Sequence, residues 1–125
     1  MTEKIIPTEA ELAILRVLWR DGAATVRTVH ESLGGDGRIR YTTTLKQLQV
    51  MTDKRLVERD ESQRSHVYSA AVEEQVTEKS LVAQFLQRIL GGSTRKMVMH
   101  ALDSDTVSDD ELAEIKQMLQ RRSEK

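Results

Sequence analysis

Apolar residues recur at helical spacing along most of this chain. Ala10, Ala13, Ile14, Val17 and Leu18 form one such series, widened by Leu12, Leu15 and Trp19, and predict a first helix. Thr8-Glu9-Ala10-Glu11 is a capping box at its start: the threonine side chain accepts from the amide three residues on, and the glutamate reaches back. Asp21-Gly22 ends the helix. Thr25 caps a second, short helix with Val26, Val29 and Leu33 on one side, and Gly34-Gly35-Asp36-Gly37 follows as a flexible turn. A third helix is predicted from about Tyr41 to Arg55. Its inner face carries Tyr41, Leu45, Leu48, Met51 and Arg55, with Thr44 and Thr52 at the margin. The opposite face shows Thr43, Lys46, Gln47 and Val50.

The period then shortens. Leu56–Arg59 and His66–Ala70 are strand-like runs joined by the polar tip Asp60–Ser65, a hairpin that Val57 and Tyr68 pack against the helices. After Ala70 helical spacing returns. Glu73–Leu90 carries Val82, Phe85, Leu86, Ile89 and Leu90 on one stripe and stops at Gly91-Gly92. A short helix over about Thr94–Leu102 carries Met97, Val98, Ala101 and Leu102. A second capping box, Ser108-Asp109-Asp110-Glu111, opens a last helix with Leu112, Ile115, Met118 and Leu119 apolar. Arg121, Arg122 and Lys125 lie near its end, where cations suit the helix dipole.

The fold class expected is therefore mostly α with a small antiparallel β wing. Residues 1–71 make a winged helix-turn-helix and residues 72–125 a helical dimerisation region. Three short amphipathic helices with Phe85 as their one aromatic residue bury little on one another. A symmetric dimer of interlocking arms resolves that, through Val82, Phe85, Leu86, Ile89, Leu112, Ile115 and Leu119.

Composition narrows the picture. Aromatics are confined to Trp19, Tyr41, Tyr68 and Phe85, so the core is aliphatic. The absence of cysteine excludes disulfides, thiol redox chemistry and thiolate metal sites. No signal-like or membrane-spanning apolar run is present, so the expected location is the cytoplasm. The net charge is −1. Bulk attraction to nucleic acid is thus small, and binding would depend on specific geometry or on two copies.

A polar-faced helix followed by a charged hairpin is how a winged helix reads DNA, the helix in the major groove and the hairpin beside it on the backbone. Thr42 and Thr43 open the third helix, where hydroxyls and free amides can hold a phosphate. Thr43 can also touch a thymine methyl, and Lys46, one turn on, can donate to guanine or to phosphate. Gln47 and Gln49 can read adenine or bind backbone. Gln63, Arg64 and Ser65 at the hairpin tip, and Arg38 and Arg40 before the helix, are further phosphate candidates. Taken singly, such threonines are ordinary caps and such cations ordinary solvated surface. The ordered combination of three short helices, a basic third helix and a hairpin is what points to duplex DNA. The alternative is a winged helix that binds protein through the same surface, without specific DNA binding.

These residues resemble the BlaI/MecI penicillinase-repressor family of bacterial winged-helix repressors. The likeness is carried by Glu11, Ile14, Leu18 and Trp19; by Thr25, Val26, Val29, His30, Leu33 and Gly34; by Tyr41-Thr42-Thr43, Leu48 and Leu56-Val57; and by Arg64, His66, Tyr68 and Ala70 in the wing. It is strong over Glu9–Ala70 and loose beyond. The resemblance implies a homodimer that binds a dyad-symmetric operator and blocks transcription, with the C-terminal helices as its interface. It carries operator reading onto Thr42, Thr43 and Lys46, supported by Arg64. Val50 stands where the family often has arginine. Beta-lactam-responsive members are cleaved, on a signal from a membrane sensor-protease, at an Asn-Phe bond in the short helix after the Gly-rich break. His100-Ala101 stands at that position here. Copper sensing through C-terminal cysteines is excluded.

An enzyme is not expected. The one glycine cluster, Gly34–Gly37, lacks the strand-to-helix setting of a phosphate loop, and His30, His66 and His100 make no ligand-spaced pair. Asp103, Asp105, Asp109 and Glu114 have offsets reminiscent of a calcium loop, but Val107 and Ser108 occupy the positions that need a ligand and a glycine. No cofactor and no small-molecule substrate are expected. The partners expected are operator DNA, a second copy of the chain, and a membrane sensor-protease or a downstream protease.

Overall fold

The structure is a computed structural model that describes residues 6–35 and 37–124; Asp36 of the predicted glycine turn and Lys125 at the chain's end lie outside the described residues. The elements run α1 (Glu9–Asp21), β1 (Ala24–Thr25), α2 (Val26–Ser32), α3 (Tyr41–Asp53), β2 (Val57–Asp60), β3 (Val67–Ala70), α4 (Glu74–Leu90), α5 (Thr94–Leu102) and α6 (Asp109–Ser123). The chain forms two compact units, residues 1–81 and 82–125, and the division falls inside α4.

In the first unit the predicted capping box closes in both directions. The Glu11 amide donates to Thr8 Oγ1 at 3.2 Å, and the Thr8 amide donates to Glu11 Oε1 at 2.9 Å. The helix then buries Ile14, Leu15, Val17 and Leu18. Ala10, expected on the inner stripe, is exposed, and Glu11 takes an inner position instead, 1% exposed. Its second oxygen accepts from Lys54 Nζ at 2.8 Å, which ties the start of α1 to the residue that ends α3. Burial pushes the Glu11 carboxyl up, but Lys54 and the Thr8 amide outweigh that and hold it below its ordinary value.

The core is completed by Val26 and Val29 of α2, Leu48 and Met51 of α3, and Leu56, Val57 and Tyr68 of the sheet region. Each such side chain, fully buried, contributes about 1.5–3 kcal/mol. Two inner-face expectations for α3 change. Tyr41 is 43% exposed, and Thr44 is buried in its place. Arg55 is also exposed and stands outside the helix.

The sheet has three strands in the order β1-β3-β2, all antiparallel. The hairpin pairs Val57 with Ala70 and Asp60 with Val67, one residue later at its start than the sequence predicts. The third strand, β1, pairs Ala24 with Tyr68 and Thr25 with Val67. It is only two residues long, too short for a pattern of alternation, and the sequence does not predict it. It fastens the start of α2 to the root of the wing.

The turn from α3 into β2 has Schellman geometry. The Leu56 amide donates to Met51 O at 2.9 Å and the Arg55 amide to Thr52 O at 3.1 Å. Arg55 occupies the left-handed position at φ 66°, where glycine is the usual occupant. Beyond the wing, Trp19 Nε1 donates to Val72 O at 2.9 Å and anchors the chain as it leaves β3.

In the second unit, Gly91 and Gly92, both at positive φ, close α4. Ser93 and Ser108 cap α5 and α6 through the Lys96 and Glu111 amides. Neither helix has a buried residue. Among the described residues no helix is long and apolar enough to cross a membrane.

Two predictions follow from the α1–α3 tie and the α3 turn. Glu11→Gln should cost about 1–2 kcal/mol at pH 7, because a charge-assisted bond is lost while Lys54 keeps partial access to water. A carboxyl held low in the native state stabilises fully above its unfolded value of 4.5, and that contribution is lost as pH falls through the lower native value. Urea titrations of the two proteins should therefore differ at pH 7 and converge as pH falls through the lowered native value. An equal gap across that range would show that the ion pair is not its source. Arg55→Gly should raise stability by about 0.5–1 kcal/mol by removing left-handed strain, seen as a higher thermal midpoint; a lower one would contradict the strain argument.

Candidate nucleic-acid interface

Helix α3 presents two chemically distinct sides. Thr44, Leu48 and Met51 are sealed in the core, while Thr42, Thr43, Lys46, Gln49 and Val50 are exposed and Gln47 is half-buried. The inner side is locked to α2 by polar as well as apolar contacts. His30 Nδ1 and Thr44 Oγ1 share a hydrogen bond at 3.2 Å, and Tyr41 meets the His30 ring edge-on with centroids 5.7 Å apart. Thr52 Oγ1 donates back to Leu48 O at 2.7 Å, so that hydroxyl is spent within the helix. The α2–α3 bond through His30 was not legible in the sequence, because His30 and Thr44 lie fourteen positions apart.

The N-terminus of α3 departs from the simple capping explanation. Arg40 is the N-cap residue and makes no side-chain cap bond. Thr42 and Thr43 stand inside the first turn, so they are not caps. The Thr43 amide, expected to be free, donates to Arg40 O at 3.0 Å, and the Thr44 amide also reaches that oxygen at 3.3 Å. The exposed resources of this turn include the Thr42 and Thr43 hydroxyls, with Lys46 one turn on.

Thr42, Thr43, Lys46, Gln47, Val50 and Lys54 line one cleft of about 470 Å³ against Thr8 and Glu11 of α1. Lys54, a cation of the predicted reading helix, is neutralised there by Glu11. Lys46 has no ion-pair or hydrogen-bond partner among the described residues.

The wing separates its charges similarly. Arg59 forms an ion pair with Glu61 at 2.6 Å. The Asp60 carboxylate accepts from the Ser62 amide at 2.9 Å, and Ser62 holds it below its ordinary value. Arg64 and Ser65 are exposed, and Arg64 has no partner among the described residues. They do not join the first cleft. They line a second one, of about 390 Å³, with Thr25, Val26, Arg27, Tyr41, Leu45, His66 and Tyr68. Arg40 is exposed and lines neither. Arg27 was not singled out from the sequence. Its place beside the wing follows from the pairing of β1 with β3, which no local pattern signals.

In the second unit Val82, Phe85, Ile89, Leu112 and Leu119 are exposed, Phe85 by 50% and Leu119 by 59%, while Leu86 and Ile115 are half-buried. His100 and Ala101 are exposed near the end of α5. No three His, Asp or Glu side chains among the described residues converge to hold a metal ion, and that includes Asp103, Asp105, Asp109 and Glu114.

A helix-turn-helix whose third helix leads into a β-hairpin, with a short strand before α2 completing the sheet, is a winged-helix protein. A MarR family protein from Bacillus stearothermophilus has the same fold, with a TM-score of 0.51 and 19% identity over 94% of this chain and 74% of that one. The transcriptional regulator Tm0710 from Thermotoga maritima overlaps with a TM-score of 0.49 at 16% identity, covering 94% of this chain and 80% of its own. Within that class the chain belongs to the penicillinase repressor family, whose sequence profile it matches over residues 7–121. The penicillinase repressor of Bacillus licheniformis is 24% identical over 113 residues, 90% of this chain and 88% of that protein.

Proposed function

We propose that this protein is a homodimeric transcriptional repressor that binds a dyad-symmetric DNA operator through α3 and the wing. The observation that carries the reading is the division of α3. One side is fixed in the core and bonded to α2 through His30. The other offers Thr42, Thr43, Lys46 and Gln47 to solvent, from a first turn without a side-chain cap. A helix anchored on one side and polar on the other suits insertion into a major groove. Membership of the penicillinase repressor family supports the same reading.

In this scheme residues 1–71 bind DNA and residues 72–125 associate. Thr42 and Thr43 hold backbone phosphate through their hydroxyls, Lys46 and Gln47 meet base edges, and Arg40, Arg64 and Ser65 grip phosphates. The exposed apolar stripes of α4 and α6 suit a second copy of the same arm, through Val82, Phe85, Leu86, Ile89, Leu112, Ile115 and Leu119. Two half-sites then share one two-fold axis. If release from DNA is by proteolysis, through a membrane sensor-protease or a downstream protease, the corresponding bond is His100-Ala101, where the family's beta-lactam-responsive members have Asn-Phe. That bond is exposed but helical, so the end of α5 must unwind to enter a protease.

Lys46→Ala should weaken operator binding about tenfold or more with an unchanged thermal midpoint. Footprinting of the gene's own promoter region at two salt concentrations measures it; unchanged affinity would remove α3 as the reading element. Leu119→Glu should shift the protein from dimer to monomer in sedimentation and lower operator affinity with it. A monomeric variant that still binds tightly would break the link between the two.

A further inference from the structure

The second cleft differs from its neighbours in charge. Arg27 and Arg64 both line it, together with the hydroxyl-bearing Tyr41 and Ser65 and with His66, and no carboxylate is among its lining residues. The cleft along α3 contains Glu11, and one beside β2 contains Glu58. Neither Arg27 nor Arg64 has an ion-pair or hydrogen-bond partner among the described residues. An anion bound in a cleft that two guanidinium groups both reach can make charge-assisted contacts with each. The planar donor fork of arginine matches phosphate oxygens, and a tyrosine or serine hydroxyl can complete the set. The two arginines come from separate elements, α2 and the wing, which β1–β3 pairing brings together.

We propose that this cleft seats one phosphate group, a backbone phosphodiester of the DNA bound by α3, shared between Arg27 and Arg64. Arg27 then becomes a DNA-binding residue, and the phosphate links the wing to the start of α2. The proposal rests on the DNA-binding reading and goes beyond it by assigning two distant arginines to the same phosphate.

The test uses the full chain and a duplex selected by the wild-type protein from random sequence. Arg27→Ala and Arg64→Ala should each weaken binding about tenfold or more. Each should lower the slope of log affinity against log salt by about two per dimer, one for each seat. Preference for the selected duplex over a scrambled one should not change, since phosphate contacts carry no base information. Arg27→Lys should keep the salt slope. Methylphosphonates placed singly along the duplex then locate the contact. One position per half-site should weaken wild-type binding strongly and leave both alanine variants nearly unaffected. Full affinity in Arg27→Ala, or sensitivity of the two variants to different phosphates, would overturn the shared seat while leaving the DNA-binding reading intact. If the wild type binds no duplex, the readout is the thermal midpoint in inorganic phosphate. A rise that Arg27→Ala abolishes would keep the seat and assign it to a free phosphorylated ligand, and no rise would overturn it.

Discussion

One buried carboxylate ties the first helix of the fold to the end of α3. Glu11 spends one oxygen on the Thr8 amide and the other on Lys54, so the same buried group starts α1 and pins the end of α3. Burying a charge is costly unless it is paired and hydrogen-bonded, and Glu11 is both. Its neighbours reinforce the tie. Immediately after Lys54 the Schellman turn at Arg55 redirects the backbone into β2, and Leu56 and Val57 enter the core. The direction in which the wing leaves α3 is therefore set within three residues of the ion pair. Trp19, at the far end of α1, fastens Val72 just after the wing returns. A single helix thus braces both α3 and the hairpin that follows it.

That bracing determines which cations are available. Lys54 and Arg59 are neutralised by Glu11 and Glu61, whereas Lys46, Arg27 and Arg64 have no partners among the described residues. The near-neutral net charge of −1 is then a poor guide to the surface. The proposed contacts with DNA draw on a few unpaired groups in fixed positions. Such a surface gains little from non-specific attraction and more from geometry, and two half-sites on a symmetric dimer multiply that geometric term.

Most of the architecture was legible in the sequence because it rests on local signals. The capping box at Thr8, the stops at Gly22 and Gly91-Gly92, the Ser108 cap and the hairpin all depend on residues within a few positions of one another. What the sequence left hidden depends on tertiary pairing. Glu11 looked like a cap alone because Lys54 is forty-three residues away. Thr44 looked marginal to the core until His30 gave its hydroxyl a partner, and Tyr41, more apolar by type, turned outward against the same imidazole. Strand β1 was too short to show a period, and with it went the means of placing Arg27 beside Arg64. The exposed residues of α3 were found from helical periodicity alone, because a helix that buries one face necessarily shows the other.

The C-terminal unit makes the opposite kind of demand. Its helices are well capped, yet α5 and α6 bury no residue and large apolar side chains from Val82 to Leu119 stay in water. Caps and dipole-matched charges contribute about 0.3–1.5 kcal/mol each, enough to define helices but not to hold them together. Helix stability in proteins comes mainly from packing an apolar face, and here that face lacks a counterpart within the described residues. In the proposed dimer a two-fold partner would supply an identical stripe at the same register, so one sequence would serve both sides of the interface. If the arm associates as proposed, its folding and its self-association are one equilibrium.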